Sequence, residues 1–192
     1  MTGVRVLHAG TGKAEALAPG QLVYIEADNP LPAGIDRVMF GSATAQVVTL
    51  DPLRIVAVVP PTMKPGPVDV TLGNAAGPIA AAAVEIAASV PAILGTVENS
   101  DGSTNSSDNP ASRTGTITLH VIGEGNGWES DILAEIGSTS VAVISAERTV
   151  QRPGQLTIIL QLPGGFLRSG VSSLSLAIAG NPVPGPIQVS IR

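Results

Sequence analysis

The sequence predicts an all-β protein built as two tandem β-sandwiches. Three observations predict it. Glycine (22 residues) and proline (16 residues) punctuate the whole 192-residue chain, which leaves no room for an uninterrupted helix of ordinary length. Between them stand short runs of Val, Ile, Leu and Ala that alternate with period two, such as Ile55, Ala57, Val59 and Val68, Val70, Leu72. Residues of this kind and period fit the half-buried, pleated face of a sheet. Finally, one figure occurs twice. Strand, proline turn, strand and glycine turn run from Arg54 to Gly77 and return between Gln155 and Asn181. Short strands at turn-punctuated spacing, in two copies of about 90 residues, are the pattern of tandem sandwiches.

In chain order, residues 4–7 form a short detached strand, followed by Ala9-Gly-Thr-Gly-Lys-Ala-Glu15. Ala18-Pro-Gly-Gln21 is a turn feeding the strand Leu22-Val-Tyr-Ile-Glu26, and residues 29–34 are a loop. Residues 36–40 and 45–50 are strands around Gly41-Ser-Ala-Thr44, a tight turn where glycine supplies positive φ. The stretch 54–77 contributes the next two strands. Residues 79–88 are alanine-rich, which favours helix. Gly77-Pro78 before them and their place at the end of the copy predict a last strand instead, with a helical turn as the alternative. Ser89-Val-Pro-Ala92 is the joint, and residues 98–113 are a polar loop with no core face. The second copy opens at Gly115 with a strand at 116–122 and the loop Gly123-Glu-Gly-Asn-Gly-Trp128. Residues 132–136 and 141–144 repeat the strand–glycine–strand figure, so that Phe40-Gly41-Ser42 matches Ile136-Gly137-Ser138. Pro61 matches Pro163, and Gly77-Pro78-Ile79 matches Gly185-Pro186-Ile187. The growing offset places the extra residues of the second copy in loops. The expected units are residues 1–88, a joint and polar loop at 89–114, and residues 115–192, with the two sandwiches touching across a short joint.

Composition excludes several classes. Charged residues are 13% and mean hydropathy is +0.35, too apolar for a disordered chain. A net charge of −5 with ten scattered Lys and Arg offers no basic stripe for nucleic acid. No apolar run reaches the roughly 18 residues of a membrane span. The N-terminus lacks the apolar core of a signal peptide, so the chain is expected to stay inside the cell or to be a mature form or fragment. With no cysteine there is no disulfide framework, and the compartment stays open.

The first copy, from Pro19-Gly20 through Phe40-Gly-Ser-Ala-Thr-Ala-Gln46, Val58-Val-Pro-Pro61 and Gly66-Pro-Val-Asp-Val-Thr-Leu-Gly-Asn74, resembles an IPT/TIG immunoglobulin-like domain. The segment from Asp101-Gly-Ser-Thr-Asn105 through Asn109-Pro110 to Gly123-Glu-Gly125 is similar to a C-terminal module of large secreted proteins of soil bacteria. Leu162-Pro-Gly-Gly165 and Ser169-Gly170 through Gly180 match that module's closing part. Departures are Gly137-Ser-Thr-Ser-Val141, where a Gly-Gly turn is usual, and His120, where an aromatic is usual. The resemblance implies two tandem immunoglobulin-like β-sandwiches and a non-catalytic module of an extracellular or cell-surface protein. It supplies no catalytic residue and no cofactor.

Candidate chemistry stands beside plainer readings. Gly10-Thr-Gly-Lys13 looks like the end of a phosphate loop, but Leu7 and Ala14 stand where that motif requires Gly and Ser or Thr; it reads as a flexible loop. His8 and His120, the only histidines, have no ligand partner at short spacing and read as surface or rim residues. No Gly-x-Ser-x-Gly elbow is present, and an enzyme is not expected. Asp101, Asn105 and Asp108 are the calcium candidates of the polar loop, although their spacing departs from an EF-hand. The plainer reading is that Asp, Asn and Ser cap their own turns. Glu124 and Glu129 are a second acidic candidate. Among the aromatics Tyr24, Phe40, Trp128 and Phe166, only Trp128 offers a platform for a sugar ring; its plainer role is to close one end of a core. Sheet edges with few Lys can accept a strand from a neighbour. Residues 4–7 or 187–191 are the segments for donation, against pairing within their own domain. Expected partners are other protein domains or subunits through surface or edge contact, with a glycan as the alternative. The leading expectation is a spacer or docking module. A subunit of an extracellular or virion assembly comes second and a sugar-binding module third.

Overall fold

The computed structural model describes residues 3–31, 34–129 and 131–192; Pro32 and Ala33, the centre of the expected loop at 29–34, lie outside them. Eight strands build the first sandwich: β1 (Val4–His8), β2 (Leu22–Ala27), β3 (Arg37–Phe40), β4 (Ala43–Thr44), β5 (Gln46–Leu50), β6 (Arg54–Val58), β7 (Gly66–Asn74) and β8 (Gly77–Ile86). They form two antiparallel sheets, ordered β1-β2-β6-β5 and β4-β3-β7-β8. The second sandwich comprises β9 (Ala92–Ile93), β10 (Glu98–Asn99), β11 (Thr116–Ile122), β12 (Ile132–Ile136), β13 (Thr139–Ser140), β14 (Ala142–Arg148), β15 (Leu156–Gln161), β16 (Gly170–Ile178), β17 (Asn181–Pro182) and β18 (Ile187–Ile191). Its sheets run β10-β11-β15-β14, with β9 also on β11, and β13-β12-β16-β17, with β18 also on β16. No α-helix occurs among the described residues. The alanine-rich stretch is a strand, because β8 pairs with β7 along its length and turns Ala80 and Ile86 into the core.

Alternation places one face of every sheet inward. Val23, Ile25, Ile55, Ala57, Phe40, Val70 and Leu72 fill the first core; Ile117, Leu119, Ile158, Leu160, Leu174 and Leu176 fill the second. Each fully buried large side chain contributes about 1.5–3 kcal/mol of transfer free energy.

The internal repeat extends to single hydrogen bonds. Ala45 donates to Val38 O at 2.9 Å, and Val141 to Ala134 O at 2.9 Å; Gly41 donates to Asp69 O, and Gly137 to Ser173 O. Leu17 makes a parallel bridge to Ile86, and Ala111 makes the same bridge to Ile191. Both edge strands β5 and β14 carry a bulge, at Val47/Thr49 and at Val143/Ser145. Two of the expected correspondences need correcting. Val59 donates to Gln21 O and Leu162 to Gly115 O, which aligns Pro163 with Pro60 and not with Pro61. Gly77 faces Asn74 where β8 begins, and Asn181 faces Ile178 where β17 begins. Gly185-Pro186 therefore falls in a break between β17 and β18, and its likeness to Gly77-Pro78 is one of composition only.

Both segments considered for donation pair within the chain: β1 with β2, and β18 with β16. The polar loop also differs from expectation. Ala111 within it and Val97 just before it enter the second core, and Asn99 is buried. The Asn105 carboxamide works as a surrogate peptide at the edge of β18, because its Nδ2 donates to Ser190 O at 2.9 Å while its Oδ1 accepts from Ser190 N at 2.7 Å. Nδ2 also donates to Asn99 Oδ1 at 2.8 Å. Asn99 in turn donates to Asn109 O. Replacing Asn105 with alanine takes the acceptor from Ser190 N–H and the donor from Asn99 Oδ1, so chemical denaturation is expected to show a loss of about 1–3 kcal/mol.

Candidate functional site: the joint between the sandwiches

Asp101, Asn105 and Trp128 are each engaged by, or packed among, their own neighbours. Oδ1 of Asp101 accepts from the Ser103 hydroxyl and from its amide; these two bonds hold its carboxyl below the usual range. Asn105 points into the latch just described, and Asp108 is exposed. Asn105 is engaged by Ser190 and Asn99, and among the described residues no group of three His, Cys, Asp or Glu side chains comes together. Trp128 is 7% exposed and packs in the second core, so it presents no open face to a sugar ring. The loop 10–13 closes on itself, with Gly12 N–H donating to His8 O and His8 N–H to Lys13 O.

The two histidines correct the rim expectation. His8 is 1% exposed. Gly10 N–H donates to its Nδ1 at 3.2 Å and its Nε2 faces Val90 O at 2.9 Å; with Nδ1 accepting, Nε2–H is the donor that ties β1 to the joint. His120 is buried on the outer face of β11. Arg152 Nη1 lies 2.7 Å from its Nε2, with Glu98 Oε1 at 3.4 Å, and its Nδ1 lies 3.2 Å from Thr157 Oγ1. Thr–His–Glu is the outline of a nucleophile relay, but Arg152 can only donate. The ring proton therefore sits on Nδ1 and points at the threonine. In that arrangement the histidine withdraws no proton from Thr157.

What the fold does assemble is the joint. The outward residues Leu22 and Tyr24 of β2 and Val56 and Val58 of β6 are met by Ile122 and Leu94 of the second sandwich, with Ala9 beside them. Around this apolar seam the loop 123–128 grips the connecting segment. Val90 N–H donates to Gly123 O at 2.7 Å, and Ser89 Oγ to the same oxygen. A Cβ on Gly123 would stand 2.3 Å from Val90 O, and one on Gly125 would stand 1.9 Å from Ala88 O. Both glycines have positive φ, 78° and 71°, so only glycine brings the loop this close to the joint without strain. Asn126 Nδ2 adds a bond to Pro61 O at 3.2 Å.

A charge pair lies under the grip. Glu124 is fully buried, and its Oε1 accepts from Arg148 Nε at 2.6 Å. Its Oε2 has no partner among the described residues. Arg148 Nη2 donates to Gly125 O at 2.6 Å. The guanidinium stacks 5.7 Å from the Trp128 ring centre and rests against Gly20 of the first sandwich. Burial pushes the Glu124 carboxyl up, only partly opposed by Arg148. The sign follows: a carboxyl with a raised folded-state value stabilises most below the ordinary glutamate range, and that contribution is lost as pH rises through the raised value. The stability of the native chain relative to Glu124→Gln is therefore expected to rise as pH falls across that window. Denaturation curves of the two proteins through the same pH series check this; parallel profiles would contradict it.

In the sequence, Glu124 stands only as a second acidic candidate with Glu129, and the glycines as a loop. The available signal was the spacing Gly123-Glu-Gly-Asn-Gly127 next to the single tryptophan.

No protein-family model and no curated protein matches the chain. Solved structures do match. The SGBP-B protein of the Bacteroides ovatus mixed-linkage glucan utilization locus, solved with a mixed-linkage heptasaccharide, aligns at a TM-score of 0.51 and 14% identity. That alignment covers 95% of this chain and 44% of the other; the chain thus spans less than half of that protein. Domains 5–6 of the S-layer protein SbsC align at 0.38 and 14% identity, over 100% of this chain and 96% of theirs. A titin Ig tandem aligns at 0.29 and 12%, over 91% and 90%. At 14% identity the SGBP-B likeness concerns the fold alone; the chain is all-β with two tandem immunoglobulin-like sandwiches.

Proposed function

We propose that this chain is a non-catalytic structural module of a secreted or cell-surface bacterial protein, of the IPT/TIG kind, holding two sandwiches at a fixed angle as a spacer or docking surface. The joint carries this reading. The apolar seam, the seat of Gly125 on Ala88 O and the contact of Arg148 with Gly20 all cross between the sandwiches, where a flexible tether would need none of them. Small-angle scattering is the test. The native chain should give one compact profile matching the structure, whereas a broad distribution of dimensions would remove the spacer role.

A glycan is the alternative partner, since SGBP-B was solved with an oligosaccharide. The described aromatic side chains favour the spacer. Arg54 covers Tyr24 at 4.9 Å, Phe40 and Trp128 are buried, and the Phe166 side chain lies outside the description. Retardation of the chain in gels containing polysaccharide would transfer the assignment to glycan binding.

Edge pairing into an assembly is supported by β5, where Val47, Val48 and Leu50 are exposed on a strand with no charged residue. Its bulge is a device that blunts such edges. Light scattering at rising concentration is expected to show a monomer; growth in mass that Thr49→Lys abolishes would establish assembly instead.

A further inference from the structure

Going beyond the spacer reading, we propose that Asn126 is a site of covalent self-modification, in which its side-chain amide is converted to a carboxylate through attack by the backbone nitrogen of Gly127. Among the asparagines, only Asn126 is followed by glycine. It is exposed on the loop that grips the joint, and a Cβ on Gly127 would meet nothing within 4 Å. Gly127 carries no side chain to shield its own nitrogen, and the space where one would stand is open.

The other asparagines are held back by their settings. Asn29, Asn109 and Asn181 precede proline, which has no N–H to lose. Asn99 is buried, and Asn105 is fixed by its bonds to Ser190 and Asn99. Asn74 is followed by alanine, and its Oδ1 is engaged by Ala76 N–H at 2.9 Å.

The chemistry needs only water. The Gly127 nitrogen bonds to Asn126 Cγ, the Cγ–Nδ2 bond breaks, and Nδ2 leaves as ammonia with the proton from the Gly127 amide. Water then opens the resulting five-membered imide at either carbonyl, giving aspartate or isoaspartate and releasing a proton. The location makes the product consequential. Asn126 Nδ2 is a donor to Pro61 O across the joint; a carboxylate there places acceptor against acceptor. The isoaspartate form also adds a main-chain atom to the loop directly after Gly125, whose backbone is seated on Ala88 O. Modification therefore loosens the grip between the sandwiches.

The test holds the full native chain at mildly alkaline pH and follows it by peptide mapping, isoaspartate assay and anion exchange. Expected is a species with one added negative charge whose modification maps to residue 126 ahead of every other asparagine, and which is absent from Asn126→Gln. That species, once purified, should melt below the unmodified chain. Modification at Asn74 at the same rate or sooner, or an Asn126 that stays intact in the folded chain while the denatured chain loses its amide, would overturn the proposal.

Discussion

Arg148→Met is expected to lower the stability of the chain by about 3 kcal/mol at neutral pH, toward the low end of the cost of breaking a buried ion pair. The low end applies because the Arg148 side chain is 32% exposed while that of Glu124 is 0% exposed, so water screens part of the attraction. The loss arises chiefly from the carboxylate left behind. Its Oε2 already lacks a partner, and without Arg148 its Oε1 loses its 2.6 Å bond as well. Gly125 O loses a donor in the same step. The destabilisation should therefore shrink as pH falls and Glu124 takes up a proton. In the double variant Arg148→Met, Glu124→Gln, most of the neutral-pH loss should be absent. Urea denaturation of the native chain, the single variants and the double variant provides the cycle. Equal losses at acid and neutral pH would mean that Arg148 acts through packing on Trp128 rather than through charge.

Gly125→Val is expected to separate the sandwiches without unfolding either one. Its Cβ would stand 1.9 Å from Ala88 O, against an ordinary contact of 3.4 Å, so backbone must give by about 1.5 Å. A side chain at φ 71° adds about 1–2 kcal/mol of local strain. Neither carbonyl nor loop is a flexible side-chain end, and the least costly escape is to release residues 88–90 from the loop. Gly127→Val is the control. It carries comparable strain at φ 80° but meets nothing within 4 Å. Calorimetry should show one cooperative transition for the native chain and for Gly127→Val, and two for Gly125→Val. A single transition in Gly125→Val would show that the joint does not couple the sandwiches.

The architecture was readable because each sandwich writes itself locally. Alternation at Ile55, Ala57, Val59 and glycine turns at Gly41 and Gly137 are decided within a few residues, and the repeat confirms them. The joint is not written that way. The bond of His8 to Val90 spans 82 residues, and the burial of Glu124 depends on Arg148 and on the first sandwich's Gly20. Apart from the glycines and the tryptophan around Glu124, nothing adjacent to these residues distinguishes them from surface ones. Trp128 shows a different limit, since a tryptophan on a glycine-rich loop suits a core plug, the plainer reading, or an open platform; packing places it in the core. The polar loop was read as lacking a core face because asparagine is polar. In fact a carboxamide reproduces both halves of a peptide group, and Asn105 uses that to finish the edge of β18.

The central claim is that the joint makes one rigid body of two sandwiches. Residual dipolar couplings on the aligned full-length chain test it most directly, with each sandwich fitted on its own. The account predicts one alignment tensor, the same in magnitude and orientation for residues of both cores. Tensors that differ in magnitude between the two would mean that the sandwiches move independently, and the joint would then be a tether.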